Sequence, residues 1–287
     1  MKRLVACLLL SLLLPLAVTA QHRVYIPMAH ANHVIPTPVP PRHWAKGLSI
    51  FRRASDFTQT GSTYAITWWE PRAGDQATAG PEVTVLCQVR DMLDLAELDL
   101  YEGQTMIRLF NEPELSGQAN MTLEQVVDGI YTVHTRYPDV QLGTPELVVG
   151  PTWWGGGYTH ADVVNRYATK YGERPPYDFV ALHMYAPDAY WMEQVVGWAD
   201  AELLQAGLDD LPIYVTEFGP YPAPYAATWR EAVDVAIAWF DARPTVVMAA
   251  YHPAYDWTWD GFSWIGASLC NEDGTLTEIG QWWAEIE

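Results

Sequence analysis

The sequence predicts an α/β fold, a (β/α)8 TIM barrel that forms a single compact domain. Short apolar, β-branched runs alternate with turn residues and helical stretches from Trp44 onward. Eight such runs fit within about 240 residues, the length that a closed parallel barrel needs. The composition, 49% hydrophobic and 18% charged, is that of a globular protein. A doubly wound open sheet stays the alternative, because the stretch 72–83 shows no convincing helix.

Each predicted strand is an apolar run that turn residues follow. β-branched and aromatic side chains favour strands, because they pack well on a pleated surface. The eight strands are expected at residues 46–51, 64–69, 84–89, 105–110, 141–149, 178–185, 213–218 and 246–251.

Helix start signals support the same alternation. Residues 122–125 and 228–231 each have Thr first and Gln or Glu three residues later, which is a capping box. The runs that follow, 126–137 and 232–240, are amphipathic. Two more helical stretches, 162–171 and 191–208, lie between them.

The chain before the barrel predicts a secreted protein. Residues 1–20 have the features of a signal peptide: Lys2 and Arg3, an apolar run over 4–18, and small residues up to Ala20. Residues 21–43 form a Pro-rich leader or spacer, and the barrel domain spans 44–287. No later stretch is long enough to cross a bilayer, so the mature form is expected to have no membrane contact. Cys87 and Cys270 are more consistent with buried thiols than with a disulfide.

Charge and missing motifs exclude several function classes. Lys and Arg total 16 against 35 acidic residues, and a net charge of -19 would repel nucleic acid and anionic lipid. The sequence contains no HExxH, CxxC, Walker loop or helix-opening GxGxxG. We therefore expect neither a metal nor a cofactor.

A pair of carboxylates closes two of the predicted strands. Glu112 ends the fourth strand in Phe-Asn-Glu-Pro, and Glu217 ends the seventh in Val-Thr-Glu-Phe-Gly. Enzymes with a (β/α)8 barrel carry their active sites at the carboxyl ends of the strands, where these two ionisable side chains are expected to lie. Two facing carboxyls are what acetal hydrolysis needs, one protonated and one ionised. The alternative is that each Glu is a solvated strand end.

These motifs resemble those of the retaining β-glycosidases of glycoside hydrolase clan A. His183-Met184-Tyr185 on the sixth strand is similar to that clan's His-x-Tyr, and residues 269–280 are similar to the ending of the family 128 endo-β-1,3-glucanases. The resemblance covers residues 44–287. It implies that Glu112 is the acid/base and Glu217 the nucleophile. It also implies that Asn111 binds a sugar hydroxyl and that Tyr185 contacts the nucleophile, with His183 beside it.

The aromatic content suggests a carbohydrate cleft, because pyranose rings stack on aromatic faces. The chain has 14 Trp and 16 Tyr. Near predicted strand ends lie the substrate-binding candidates Trp68, Trp69, Trp153, Trp154, Tyr251, Trp257 and Trp259. Trp198, Trp239, Trp282 and Trp283 fall on helices, where core packing is the better interpretation. Glu114 is interpreted as a solvated loop residue.

The sequence thus predicts a secreted retaining endo-β-glucanase that acts on a neutral β-linked glucan, with β-1,3-glucan favoured. We expect a monomer whose partner is a polysaccharide or oligosaccharide substrate. Two alternatives remain open: an exo-acting β-glycosidase of the same clan, and a carbohydrate-binding barrel without turnover.

Overall fold

The computed structural model of the protein describes residues 42–49, 51–67, 78–80, 82–100, 105–150, 157–221, 229–256 and 268–286, with the backbone of 258–259 and 262–263. The predicted signal peptide and all of the predicted spacer except Arg42 and His43 lie outside these residues. Trp68, Trp69, Trp153, Trp154 and Trp257 lie outside them too, and Trp259 is described by its backbone alone.

Eight parallel strands form a closed barrel in sequence order. The strands are β1 Ala45–Ser49, β2 Tyr64–Ile66, β3 Thr84–Val89, β4 Met106–Asn111, β5 Gln141–Val148, β6 Val180–Ala186, β7 Ile213–Pro220 and β8 Val246–Tyr251. Residues 45–48 of β1 pair with residues 248–251 of β8, which closes the sheet. The predicted barrel is confirmed, and this pairing excludes the open sheet. A short antiparallel hairpin follows, β9 Thr258–Trp259 with β10 Phe262–Ser263.

Seven helices surround the barrel within the described residues. They are α1 Ala54–Thr60, α2 Met92–Glu97, α3 Leu123–Arg136, α4 His160–Tyr171, α5 Ala189–Ala206, α6 Trp229–Ala242 and α7 Glu278–Glu285. The first two are the shortest, which explains why the sequence pattern is weakest in the early units. No helix in the described part of the chain is long and apolar enough to cross a membrane.

Side-chain caps fix where the longer helices begin. The predicted capping box at the start of α3 is present, with Thr122 and Gln125 each bonding the other's backbone. Thr159 and Asp162 form a second box at α4, which the sequence analysis did not predict. The Asp188 carboxylate accepts from the backbone of Trp191 at the start of α5. These contacts satisfy backbone N–H groups that have no partner within the helix.

The barrel interior changes from apolar to polar along the strands. One buried apolar cluster contains alternate residues of neighbouring strands, including Ala181 of β6 and Tyr214 of β7. Two residues further along β6 comes His183, and two further still Tyr185, and both are buried. Because alternate residues share a face, the strands themselves place polar groups above an apolar floor. The floor residues are Ile66, Leu86, Phe179, Ala181, Tyr214, Met248 and Ala250.

The space between barrel and helices holds the larger apolar core. Trp283 is fully buried there, and Trp198, Trp239 and Trp282 pack against the same cluster. The interpretation of these helical tryptophans as core residues is confirmed. Cys87 and Cys270 are both buried and form no disulfide with each other, as the sequence favoured.

A largely buried contact between a histidine and a carboxylate joins two of the outer helices. Oε1 of Glu202 in α5 accepts from the backbone N–H of His160, at 2.9 Å, and lies 2.7 Å from its ring Nδ1. Burial would raise the pKa of Glu202, but the contacts with His160 outweigh it and hold that pKa below its usual value.

We expect Glu202→Gln to lower the free energy of unfolding at neutral pH by about 2 kcal/mol, since a hydrogen bond to a charged group is lost. A carboxyl with a lowered folded-state pKa stabilises the fold above its unfolded pKa of about 4.3, and this contribution is lost in acid. The difference between wild type and variant in chemical denaturation should therefore shrink as the pH falls below about 4. A difference that is constant between pH 7 and pH 3 would contradict this account.

Candidate active site

An irregularity in β4 directs the motif that contains Glu112 toward the barrel interior. Leu109 and Phe110 are consecutive, yet both pack into the same outer apolar cluster, and the register with β5 shifts there. Phe110 and Glu112 have φ angles of 46° and 43°, which bulky L-residues rarely adopt. The Phe110 ring fills the space that a side chain at Gly129 of α3 would need. The bulge directs Asn111 and Glu112 toward the barrel interior.

A second irregularity, in β7, directs the motif that contains Glu217 toward the same interior. Val215 and Phe218 of β7 both belong to the outer core, and the register shifts between them against β8. Glu217 is 4% exposed, and its carboxylate contacts His183 and Tyr185 of β6, which line the interior. Two irregularities, one in β4 and one in β7, thus deliver the two carboxylates.

The carboxylates meet around His183. Its Nδ1 lies 2.9 Å from Oε1 of Glu112 and 3.6 Å from Oε2 of Glu217. The Tyr185 hydroxyl donates to the same Oε2 of Glu217, at 2.5 Å. An oxygen of Glu112 and an oxygen of Glu217 lie within 4.8 Å of each other. The four residues that the sequence predicted from three strands therefore form one cluster.

Asn111 lies beside this cluster and is half-buried. Its Oδ1 accepts from Nε2 of Gln88, at 3.3 Å, and its Nδ2 donates to Oε1 of Gln118, at 3.0 Å. These two bonds fix the plane of the amide next to Glu112.

A second buried charge pair, absent from the sequence predictions, lies beneath the cluster. Arg108 of β4 and Glu146 of β5 form an ion pair, and neither side chain is exposed to solvent. Gln88 donates to the other oxygen of Glu146, and Nε2 of His183 lies 3.5 Å from Oε1 of Glu146. The sequence carries a signal for this pair, because a charged residue inside an apolar strand is costly to bury unless it is paired.

His252, directly after β8, is another residue that the sequence analysis did not single out. Its Nδ1 forms a hydrogen bond of 2.7 Å with the Ser49 hydroxyl and lies 3.9 Å from Oε2 of Glu217. Burial and the nearby charge of His183 lower the pKa of His252 well below its usual value. It is therefore a neutral neighbour of the cluster.

Burial and mutual charge govern protonation in the cluster. Burial raises the pKa of Glu217 to about 7 against the influence of His183, and the charge of Glu112 adds to the rise. Burial also opposes a charge on His183, but the surrounding carboxylates outweigh it and raise the imidazole pKa well above its usual value. At Glu146 the two adjacent cations outweigh burial and lower the pKa to about 2.

Three residues of the cluster carry atoms of the kind that bind metal ions. Ligand-type atoms of Glu112, His183 and Glu217 lie within 4.8 Å of one another. Both ring nitrogens of His183 face carboxylate oxygens, so protons on them form favourable contacts, and a protonated nitrogen has no lone pair for a metal. We therefore interpret these residues as a hydrogen-bonded charge cluster.

Glu114 is not the solvated loop residue that the sequence suggested. Its Oε1 accepts from the backbone N–H of Val148, at 2.8 Å, and its Oε2 is buried. Burial, with a smaller influence from Glu112, raises the pKa of Glu114 to about 8. The side chain is thus a largely neutral clamp between the end of β4 and the end of β5.

The structure places Tyr251 away from the cluster. Its ring is fully buried in the outer core, 5.6 Å from the Phe218 ring and 5.8 Å from that of Trp283. Met248 and Ala250 of the same strand belong to the inner floor, so strand alternation turns Tyr251 outward. The expectation that Tyr251 touches substrate does not fit this position.

The sequence of this chain matches a known protein family. Residues 85–283 match the family described as glycosyl hydrolase catalytic core, which is more than half of the chain. The chain belongs to this glycosyl hydrolase family. No curated protein matches it in sequence.

Solved structures of glycosyl hydrolases share the fold. A family 128 subgroup II endo-β-1,3-glucanase from Pseudomonas viridiflava has 22% identity and a TM-score of 0.66, over 85% of this chain and 98% of its own. A subgroup I enzyme from Amycolatopsis mediterranei in complex with laminaripentaose has 19% identity and a TM-score of 0.63, over 85% and 99%. A subgroup VI exo-β-1,3-glucanase from Aureobasidium namibiae has 16% identity and a TM-score of 0.63, over 85% and 96%. The predicted resemblance to family 128 is confirmed.

Proposed function

We propose that this glycosyl hydrolase is a retaining endo-β-1,3-glucanase. The observation that carries the proposal is the approach of Glu112 and Glu217, whose nearest oxygens lie within 4.8 Å. Retaining glycosidases hold their two carboxyl groups about 5–5.5 Å apart, whereas inverting enzymes need about 6.5–9.5 Å to admit a water. The short separation therefore favours direct attack by a carboxylate on the sugar.

In the proposed first step Glu112 protonates the glycosidic oxygen while Glu217 attacks the anomeric carbon. The bond to the leaving sugar breaks, and an α-linked glycosyl-enzyme forms on Glu217. Oε1 of Glu112 is occupied by His183, so its other oxygen is the one that carries the proton. In the second step Glu112 takes a proton from water, which opens the ester and restores the β configuration. Tyr185 holds the attacking carboxylate in orientation through its hydroxyl.

The charges of the cluster suit this proton transfer. Arg108 and the protonated His183 supply two positive charges, against the three carboxyl groups of Glu112, Glu146 and Glu217. A single proton shared by Glu112 and Glu217 therefore makes the buried cluster neutral. That state is the one that the first step requires, with one carboxyl protonated and its neighbour ionised.

A neutral β-1,3-glucan is the proposed substrate. Solved structures with the same fold are described as β-1,3-glucanases, and some contain laminari-oligosaccharides. The net charge of -19 disfavours anionic polysaccharides. We propose Asn111 as the donor to the hydroxyl next to the reacting carbon. Trp68, Trp69, Trp153, Trp154, Trp257 and Trp259 are the proposed stacking residues.

Product analysis tests this proposal. We expect laminarin and curdlan to be cleaved into oligosaccharides of several lengths, and β-1,4-glucan to resist. Proton NMR of fresh product should show the β anomer first. Glucose as the sole early product would favour the exo-acting alternative, and an initial α anomer would overturn the retaining mechanism. Absence of reducing sugar from any glucan, with laminarihexaose still bound, would favour the non-catalytic barrel.

Stacking tryptophans should affect long substrates most. We expect Trp153→Ala or Trp154→Ala to weaken binding of laminarihexaose by about 1 kcal/mol, roughly fivefold in Kd, with a smaller effect on laminaribiose. Calorimetric titration measures both constants. Trp198→Phe, in the outer core, is the control and should leave both unchanged. A collapse in Tm for the 153 or 154 variant would instead assign that ring to the core.

The signal-peptide pattern at residues 1–20 supports a further proposal, that the enzyme is secreted. We also propose that it works as a monomer. N-terminal sequencing of protein from the culture medium should begin near Gln21. Light scattering should give the mass of one chain.

A further inference from the structure

The carboxylate of Glu146 has no role in the two proposed reaction steps. It is nevertheless fully buried, directly beneath the catalytic cluster. Arg108 and Gln88 each donate to one of its oxygens. A charged group with no solvent exposure is costly unless it is paired and hydrogen-bonded. Its cost therefore calls for a physical reason beyond packing.

The backbone carbonyl of Glu146 accepts from the N–H of Glu112, and Gln88 bonds both Glu146 and Asn111. The carboxylate of Glu146 itself approaches the catalytic cluster at His183. Its Oε1 lies 3.5 Å from Nε2 of His183, an ion-pair distance, while Nδ1 on the other side of the ring lies 2.9 Å from Oε1 of Glu112. Nε2 makes no hydrogen bond to any described residue, so its contact with Glu146 is purely electrostatic. A neutral imidazole has a lone pair on one nitrogen, and in this buried site that lone pair would lie close to a carboxylate oxygen. Two N–H groups avoid this repulsion, so the geometry itself favours imidazolium.

We propose that Glu146 is a positioning residue that fixes His183 as a doubly protonated imidazolium between Glu112 and Glu217. The proposal rests on the proposed function for its consequence, but its structural part stands on the contacts alone. The cation lies 3.6 Å from Oε2 of Glu217 and helps to keep that carboxylate ionised. Glu146 would thereby set the lowest pH at which the nucleophile can attack.

Other charged and titratable groups around His183 do not replace Glu146. At β4, Glu112 faces the His183 ring and Arg108 faces the Glu146 carboxylate. Glu114 follows after the end of this strand. From β7, Glu217 faces Nδ1. Tyr185 bonds Glu217, and His252 after β8 is neutral. Among these groups Glu146 is the carboxylate that approaches Nε2 within ion-pair distance.

The first test reads the imidazole directly and needs no substrate. In wild-type protein with 15N-labelled histidine, identified with a His183→Asn variant, both ring nitrogens of His183 should carry protons at pH 7. Glu146→Gln should lower the midpoint of that titration by about one pH unit or more, which is tenfold in the protonation equilibrium. A wild-type ring with a single N–H, or an unchanged midpoint in the variant, would overturn the proposal.

The second test follows catalysis. Besides burial, the charge of Glu146 itself raises the pKa of Glu217, but the cation that it stabilises on His183 lowers that pKa by a larger amount than this charge raises it. Without Glu146, His183 loses its charge more readily, so we expect the pKa of Glu217 to rise and its ionised form to appear only at higher pH. The ascending limb of kcat/KM against pH should move upward by about one pH unit, which is a tenfold loss on its acid side, with a much smaller change at the optimum. An unmoved limb in an active, folded variant would reject the catalytic consequence.

Two further variants separate this role from stability. Glu202→Gln also removes a carboxylate from a buried histidine, but outside the barrel, and should leave both the His183 titration and the pH profile unchanged. If Glu146→Gln fails to fold because Arg108 is left unpaired, the double variant Arg108→Met with Glu146→Gln removes the whole ion pair. It should shift the His183 midpoint in the same direction but by less, because loss of the Arg108 charge by itself favours imidazolium. If wild type hydrolyses no glucan, the proposed function fails while the imidazole measurement still decides this inference.

Discussion

Replacing Glu217 with alanine should lower kcat on β-1,3-glucan by roughly 10⁴- to 10⁶-fold, the range seen when one member of a catalytic unit is removed. The reason is that no other described carboxylate takes its place: Glu146 is held by Arg108 and Gln88 in the layer beneath. Initial rates of reducing-sugar release measure the loss. Tm should change little, because the shortened side chain relieves a buried charge.

Azide should restore this variant in a diagnostic way. On dinitrophenyl β-laminaribioside, whose leaving group needs no proton, azide can enter the space left by the carboxylate and attack the anomeric carbon. The product should be an α-glycosyl azide. A β-glycosyl azide, or a variant that keeps more than a hundredth of wild-type turnover, would remove the nucleophile role from Glu217.

Glu112→Gln should have the second largest effect. General acid catalysis contributes about 10²- to 10⁴-fold, so hydrolysis of polysaccharide should fall by that factor. Cleavage of the dinitrophenyl substrate should persist in its first step, with the second step slowed because water lacks its base. With Glu112→Ala, azide should yield the β-glycosyl azide, since the glycosyl-enzyme on Glu217 is then attacked from the opposite face.

The matched control is Glu114→Gln, two residues away. Glu114 is largely neutral at pH 7 because burial raises its pKa to about 8, and a Gln carbonyl can still accept from Val148. We expect less than a threefold change in kcat. Equal losses at positions 112 and 114 would contradict the assignment of the acid.

The barrel could be predicted because its signals are local. Each strand is an apolar run with a clear end, and the spacing between most neighbouring runs leaves room for one helix. The residues at the strand ends followed from the same logic, because a carboxylate such as Glu217 is out of place in an apolar core. Physical chemistry at the scale of six or seven residues was sufficient for these inferences.

Which side chains at a strand end point into the barrel, and which point out of it, could not be predicted in the same way. Leu109 and Phe110 face the same side only because β4 bulges, and the bulge depends on Phe110 fitting against Gly129 in a later helix. The prediction for Tyr251 rests on its proximity to the strand end, but its alternation with Ala250 turns the ring into the outer core. Arg108 and Glu146 were recognisable one by one, but their pairing across two strands depends on register.

The apolar floor beneath the cluster closes the lower end of the barrel. Within the described residues, side chains such as Leu86, Phe179 and Met248 fill the interior there, so under the proposed function the loop side is the entrance for sugar and water. In a double displacement, the departing half of the chain must clear that entrance before anything else can approach the glycosyl-enzyme. Whichever molecule arrives first then decides the outcome: water gives hydrolysis, and the hydroxyl of another glucan gives a new glycosidic bond. Under the proposed mechanism, chain transfer between glucans would therefore compete with cleavage, and its share would rise with the glucan concentration.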